Sequence, residues 1–224
     1  MINSIPIAIA GLAITNLTTL VLYLLGWVGI GELLWSYWLQ SVIIVIFNAV
    51  RMGLLQRFST DGFTSNGKQI PATASGKLST IGFFLVHFGI FHVVYAVFLL
   101  AFSQNFFEIT FESQTLLWIL LFILGFALSE FLALLNQITI DRQGVPNIGS
   151  LMFRPYLRII PMHLCILCGS FIGLAIILFI ILKAVTDGIG VYADDRINQK
   201  TAAAAGNSNH PDARATKELS GRND

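Results

Sequence analysis

Charge is scarce in this sequence. Only 11% of its 224 residues are Asp, Glu, Lys or Arg, while 55% are hydrophobic. Soluble domains usually carry about 25% charged residues. A water-soluble domain of this length could not enclose so much apolar surface, so lipid is the expected solvent for much of the chain. Basic and acidic residues nearly balance at net +1, which gives no reason to expect a nucleic-acid partner. The start, MINSIPIAIAGL, has no Lys or Arg and so lacks the positive region a cleavable signal peptide needs. Cysteine is limited to Cys165 and Cys168, both inside one apolar run and silent about redox compartment. Catalytic signatures are missing as well. There is no HExxH or ExxH, no nucleophile elbow and no phosphate-binding loop. Nothing therefore points to an ATPase, a kinase or a serine hydrolase, and no reaction is assigned.

Residues 1–31, 33–50, 78–107, 113–129 and 159–182 hold no charged side chain. Each run approaches or exceeds the roughly 17–25 residues that cross a hydrocarbon core as helix. They predict an all-α integral membrane bundle of about five transmembrane helices, near 5–30, 33–51, 79–102, 115–135 and 157–183, the fourth running through Glu130. The transmembrane domain then occupies residues 1–185. The loop 53–77 is rich in Gly, Ser and Thr, which predicts flexibility. The stretch 186–224 is polar, poor in large apolar residues, and predicted to be disordered. His210 lies there and receives no role.

Lys and Arg counts in short loops set orientation. Arg51, Arg57, Lys68 and Lys77 follow the second span, and Arg142, Arg154 and Arg158 lie between the fourth and fifth. The other two loops have none. The expectation is a multi-pass protein of the cell membrane, with its N-terminus cytoplasmic and its C-terminus outside. The tail's six basic residues weigh against that arrangement, although six acidic ones accompany them. Trp27, Trp35, Trp38 and Trp118 then all fall near the outer interface, where an apolar ring with one N–H is at home.

Polar groups inside apolar runs are functional candidates. His87 lies about 12 Å into its span at 1.5 Å per residue, His163 about 9 Å into its own, and Glu130 about five residues before its cytoplasmic end. The three share one layer in the cytoplasmic half. Such a set could bind a divalent metal, zinc or iron, since imidazole and carboxylate serve both. His87 with His163 could also ligate a haem. The alternative is that each polar group hydrogen-bonds a neighbouring helix. His92, five residues after His87, points elsewhere and shares a face with Tyr95. Glu32, Ser36, Gln40, Asn48 and Arg51 form a stripe at near-helical spacing, which faces other helices or water. In RPYLRIIPMHL (154–164) Arg154 and Arg158 sit one turn apart, both placed for lipid phosphates, and the sharper alternative is that Arg158 neutralises Glu130 or draws an anionic substrate. Cys165-Ile-Leu-Cys168 reads as packing beside Gly169 and Gly173, a small-residue seam for another helix.

Three stretches, LLWSYWLQSVIIVIFNAVRM (33–52), FFLVHFGIFHVVYAVF (83–98) and RPYLRIIPMHL, together resemble a family of small polytopic membrane proteins of bacteria and archaea classed as a domain of unknown function. The resemblance implies a membrane helical bundle with no assigned activity. It also implies that the YW pair, the His of VHFG and the PMHL segment belong to a shared pattern, with an acidic residue frequent where Gln40 stands. Three functional classes stay open: an intramembrane metal-dependent protein, a small transporter or proton-coupled carrier, and a structural subunit. The partners expected are the lipid bilayer and either further copies of the chain or a second membrane subunit.

Overall fold

The computed structural model describes residues 17–18, 21–105, 113–156 and 172–208. In chain order the elements are α1 (Ile30–Leu54), a hairpin of β1 (Thr64–Ser65) and β2 (Lys68–Gln69), α2 (Ala74–Asn105), α3 (Ser113–Gln143) and α4 (Ile172–Ser208). A further helical segment covers 148–156. The chain is mostly helical, as its composition predicts, with the short hairpin as an addition.

Among the described residues three helices are long and apolar enough to cross a membrane: Gly31–Leu54, Ala74–Ala101 and Ile119–Gln143. These are the second, third and fourth of the expected spans. The first and fifth lie largely outside the described residues. Helices α2 and α3 leave large apolar side chains exposed, among them Leu85, Ile90 and Val97 of α2 and Leu120, Leu124 and Leu128 of α3. A helix apolar nearly all round belongs in a large core or in a bilayer.

Helix α1 is the centre of the fold, packing against α2 on one flank and α3 on another. The 148–156 segment wedges in beside it. The main core, including Val45, Met52, Phe84, Phe88, Leu151 and Met152, gathers there. Ends are fixed by local chemistry. The helical turn over 21–24 stops where Gly26 takes φ +72. There the Gly26 N–H bonds the Tyr23 carbonyl and the Trp27 N–H the Leu22 carbonyl, each at 3.0 Å, a Schellman stop. The first expected span is thus cut short of 30. Lys77 donates to the carbonyls of Gly53 (3.0 Å) and Leu55 (2.9 Å), satisfying the α1 C-terminus with a cation.

The loop expected to be flexible is ordered. Asn66 and Gly67 both have positive φ (51 and 74), the turn that closes a two-residue hairpin. Ser59 exchanges backbone bonds of 3.0 Å with Pro146 and Ile148. Asn147 Nδ2 reaches the Asp61 carbonyl at 2.9 Å while its Oδ1 caps the next helical segment at Ser150 N. The two loops at this end are stitched together.

Helix α4 crosses the expected boundary at 185 and continues through Ser208. Lys183 lies over the Tyr37 ring, 4.7 Å from its centre, and Asn198 lies by Arg51. Helix α4 therefore runs in the direction of α1 and ends beside Gly144, at the end of the bundle that holds the 53–77 loop. A polar face docks it: Lys183, Asp187, Asp194, Asn198 and Thr201 recur at helical spacing, with Lys183 and Asn198 meeting α1, Asp194 meeting Arg154 of the 148–156 segment and Thr201 abutting Gly144.

At Gly144 an added Cβ would collide with the backbone of Thr201. Gly144→Ala is predicted to lose about 1–3 kcal/mol, seen as a lower unfolding temperature in detergent and faster tryptic cleavage at Arg196 and Lys200. Unchanged melting and cleavage would contradict the docking of α4.

Candidate functional site

The polar stripe of α1 is buried where it approaches its neighbours. Ser36, Asn48 and Arg51 are all buried, Arg51 to 1% exposure. Arg51 Nε donates to Asp141 Oδ2 at 2.8 Å and Nη2 to Oδ1 at 2.9 Å. This is the bidentate fit of a planar guanidinium to a carboxylate. Nη2 also approaches Asn198 Oδ1 at 3.5 Å. Nη1 is buried without a hydrogen-bond partner. Leaving water costs both ions several kcal/mol, which the pairing and added hydrogen bonds must offset.

Two more ion pairs lie along α4. Arg154 pairs with Asp194 and donates through Nη1 to Gln137 Oε1 at 3.2 Å. Lys183 Nζ meets Asp187 at 2.6 Å, one turn on. From Lys183 to Asn198 the fifteen steps span about 22 Å of helix. The charged groups thus form a seam along α4, bordered by α1, α3 and the 148–156 segment.

Beside Arg154 is a small cleft lined by Ile44, Asn48, Glu130, Leu134, Gln137 and Arg154, with Phe47 and Pro155 completing it. Its free space, about 10 Å³, is near the size that holds a single water molecule. Asn48 Nδ2 is used by the Leu151 carbonyl at 2.9 Å. Asn48 Oδ1 is buried and has no partner, which is unusual for a buried acceptor. The cleft therefore presents a carboxylate, an amide oxygen and a guanidinium to something very small.

The expected site residues divide. Glu130 lines the cleft. His87 lies instead among aromatic rings, stacked on Phe83 with centres 5.5 Å apart and 5.7 Å from Tyr156. His163, Arg158, Cys165 and Cys168 lie outside the described residues. Among the described residues no three His, Cys, Asp or Glu side chains group so as to hold a metal. Gln40 is half-buried. His92 does meet Tyr95, ring centres 6.4 Å apart, and is held by Ser41 at 2.8 Å. Trp38 gives its indole N–H to the His92 carbonyl at 3.0 Å, a partner inside the bundle and not a lipid headgroup. Trp27 is largely exposed, and the Trp118 side chain is not among those described.

Sequence reasoning missed Asp141, Asp187, Asp194 and Asn198. Asp141 lies past the end assigned to the fourth span, and the others lie in the supposed tail. The signal was present: 183, 187, 194, 198 and 201 step by 4, 7, 4 and 3, the same spacing that exposed the α1 stripe.

Residues 2–205 match a family of unknown function, DUF6498. The chain belongs to this family. No curated protein and no solved structure matches it. The DUF6498 match ends at 205, close to the last residue of α4, so it takes in the polar face that completes the seam.

Arg51→Leu would strand Asp141 in the interior. A loss of about 3–5 kcal/mol is expected from removing one partner of a buried pair, with most of it recovered in Arg51→Leu/Asp141→Leu. Thermal unfolding of the purified variants reads both. A double variant no more stable than the single would contradict the pairing energetics.

Proposed function

We propose that this DUF6498 protein is an integral membrane protein that carries protons, alone or coupled to a small cation, through the seam along α4. The observation that supports it is the cleft at Arg154. There a carboxylate, Glu130, and a buried amide oxygen without a partner, Asn48 Oδ1, line a space of single-water size. Ionisable groups inside membrane helices pair with one another and mark ion pathways and proton relays. Three ion pairs and Glu130 along one seam follow that pattern. The small free space disfavours a bulky solute.

This reading places Glu130 in the seam with Arg154, and not on a metal with His87. The residues of the small-residue seam at Cys165, Gly169 and Gly173 lie outside the described part, so a subunit role has no support of its own here. For orientation, the positive-inside rule favours a cytoplasmic position for the stitched loops, with Arg51, Arg57, Lys68, Lys77 and Arg142 in or beside them. The end of α4, with Arg196 and Lys200, then joins them and does not oppose the count.

Proteoliposomes test the reading. With an imposed pH gradient and an internal pH-sensitive dye, wild-type protein should collapse the gradient faster than empty vesicles do. Glu130→Gln should return the decay to the empty-vesicle rate. Wild-type vesicles that behave as empty ones, with the gradient imposed in either direction and with sodium or potassium present, would overturn it.

A further inference from the structure

On the flank of α1 that meets α2, His92 is 6% exposed and both ring nitrogens are engaged. Nδ1 lies 2.8 Å from the Phe88 carbonyl oxygen. Nε2 lies 2.8 Å from Ser41 Oγ. Ser41 Oγ is also 2.7 Å from the Trp38 carbonyl. These three distances constrain the protons. A carbonyl only accepts, so Nδ1 must carry a hydrogen. The serine hydroxyl has one hydrogen and two neighbours that want it. If it goes to Nε2, the ring is neutral. If it goes to the Trp38 carbonyl, Nε2 must itself donate to Ser41 Oγ, and the ring is an imidazolium.

Both proton arrangements fit the same heavy-atom positions. Taking up a proton requires only that the serine hydroxyl turn from Nε2 to the Trp38 carbonyl, so the site accommodates either charge state without repacking. Among the contacts of the ring are Trp38 and Ser41 from α1 and Phe88 and Tyr95 from its own helix, Tyr95 being the titratable one of these four. The hydrogen bonds at Nδ1 and Nε2 favour an imidazolium there, since charged hydrogen bonds are the stronger kind.

We propose that His92 is a proton-binding site in which Ser41 is the switching partner. The proton binds at Nε2. The serine keeps its own hydrogen throughout, and no other bond forms or breaks. This site is separate from the Arg154 cleft, so it stands or falls independently of the carrier reading.

The test is solid-state NMR of protein with ¹⁵N-labelled histidine in lipid vesicles. The His92 ring is assigned by the signal lost in His92→Gln or, should that variant not fold, from a chain in which His92 is the sole histidine. At about pH 8 the ring should be neutral with its proton on Nδ1, the minority form of free imidazole. By about pH 5, below the ordinary histidine range, both nitrogens should carry protons. In Ser41→Ala the doubly protonated signal at that pH should fall several-fold. A proton on Nε2 alone at high pH, or a ring still neutral at low pH, would overturn the proposal. An undiminished doubly protonated signal in Ser41→Ala would remove Ser41 from it.

Discussion

The buried Arg51–Asp141 pair is the constraint on which the other packing depends. A guanidinium cannot shed its charge, so once it is out of water its position must be fixed by acceptors. Arg51 stands near the end of α1 and Asp141 near the end of α3, and joining them sets how the two helices approach. Asn198 brings α4 to the same point. Lys77 and Arg57 then reach back to carbonyls at the ends of α1 and α3, completing a polar collar at one end of the bundle. The loops above it are tied by Ser59, Pro146 and Asn147 and leave that collar little freedom.

Away from the collar, α1 serves two flanks differently. Toward α2 it offers Trp38, Ser41, Val45 and Met52, combining apolar packing with hydrogen bonds to His92 of that helix. Toward α3 and the 148–156 segment it offers Ile44, Phe47, Asn48 and Arg51, where the charges and the cleft lie. Helix α1 can do both because neighbouring flanks of a helix are supplied by residues three and four apart. The 148–156 segment touches both sides. Pro155 lines the cleft, while Tyr156 packs on Phe88 and His87.

Much of this was legible in the sequence, for reasons that differ by element. The spans at α1, α2 and α3 follow from runs without charge, the most direct signal a membrane helix gives. The α1 stripe was readable because its polar residues recur at helical spacing in an apolar background. The end of α3 was not, since Asn136–Gln143 is polar and the run seemed finished. Its polar side chains are instead partnered, Gln137 by Arg154 and Asp141 by Arg51. The same holds for α4, whose Asp194 pairs with Arg154 of the 148–156 segment and whose Asn198 lies by Arg51 of α1. Depth along a helix is predictable from residue number, whereas rotation is not. That is why Glu130 and His87 share a layer on paper yet have different surroundings in the fold.

The central claim is that α4 returns to the end of the bundle that holds the hairpin loop, so that its polar face closes the seam. Thiol labelling tests it most directly, in a chain with Cys165 and Cys168 replaced by Ser. Single cysteines at Gly67 in the hairpin and at Ser208 at the end of α4 would be probed with a membrane-impermeant maleimide, in intact spheroplasts and in inverted vesicles. The account predicts that both sites label in the same preparation and are protected in the other. Labelling of the two sites from opposite faces of the membrane would contradict it.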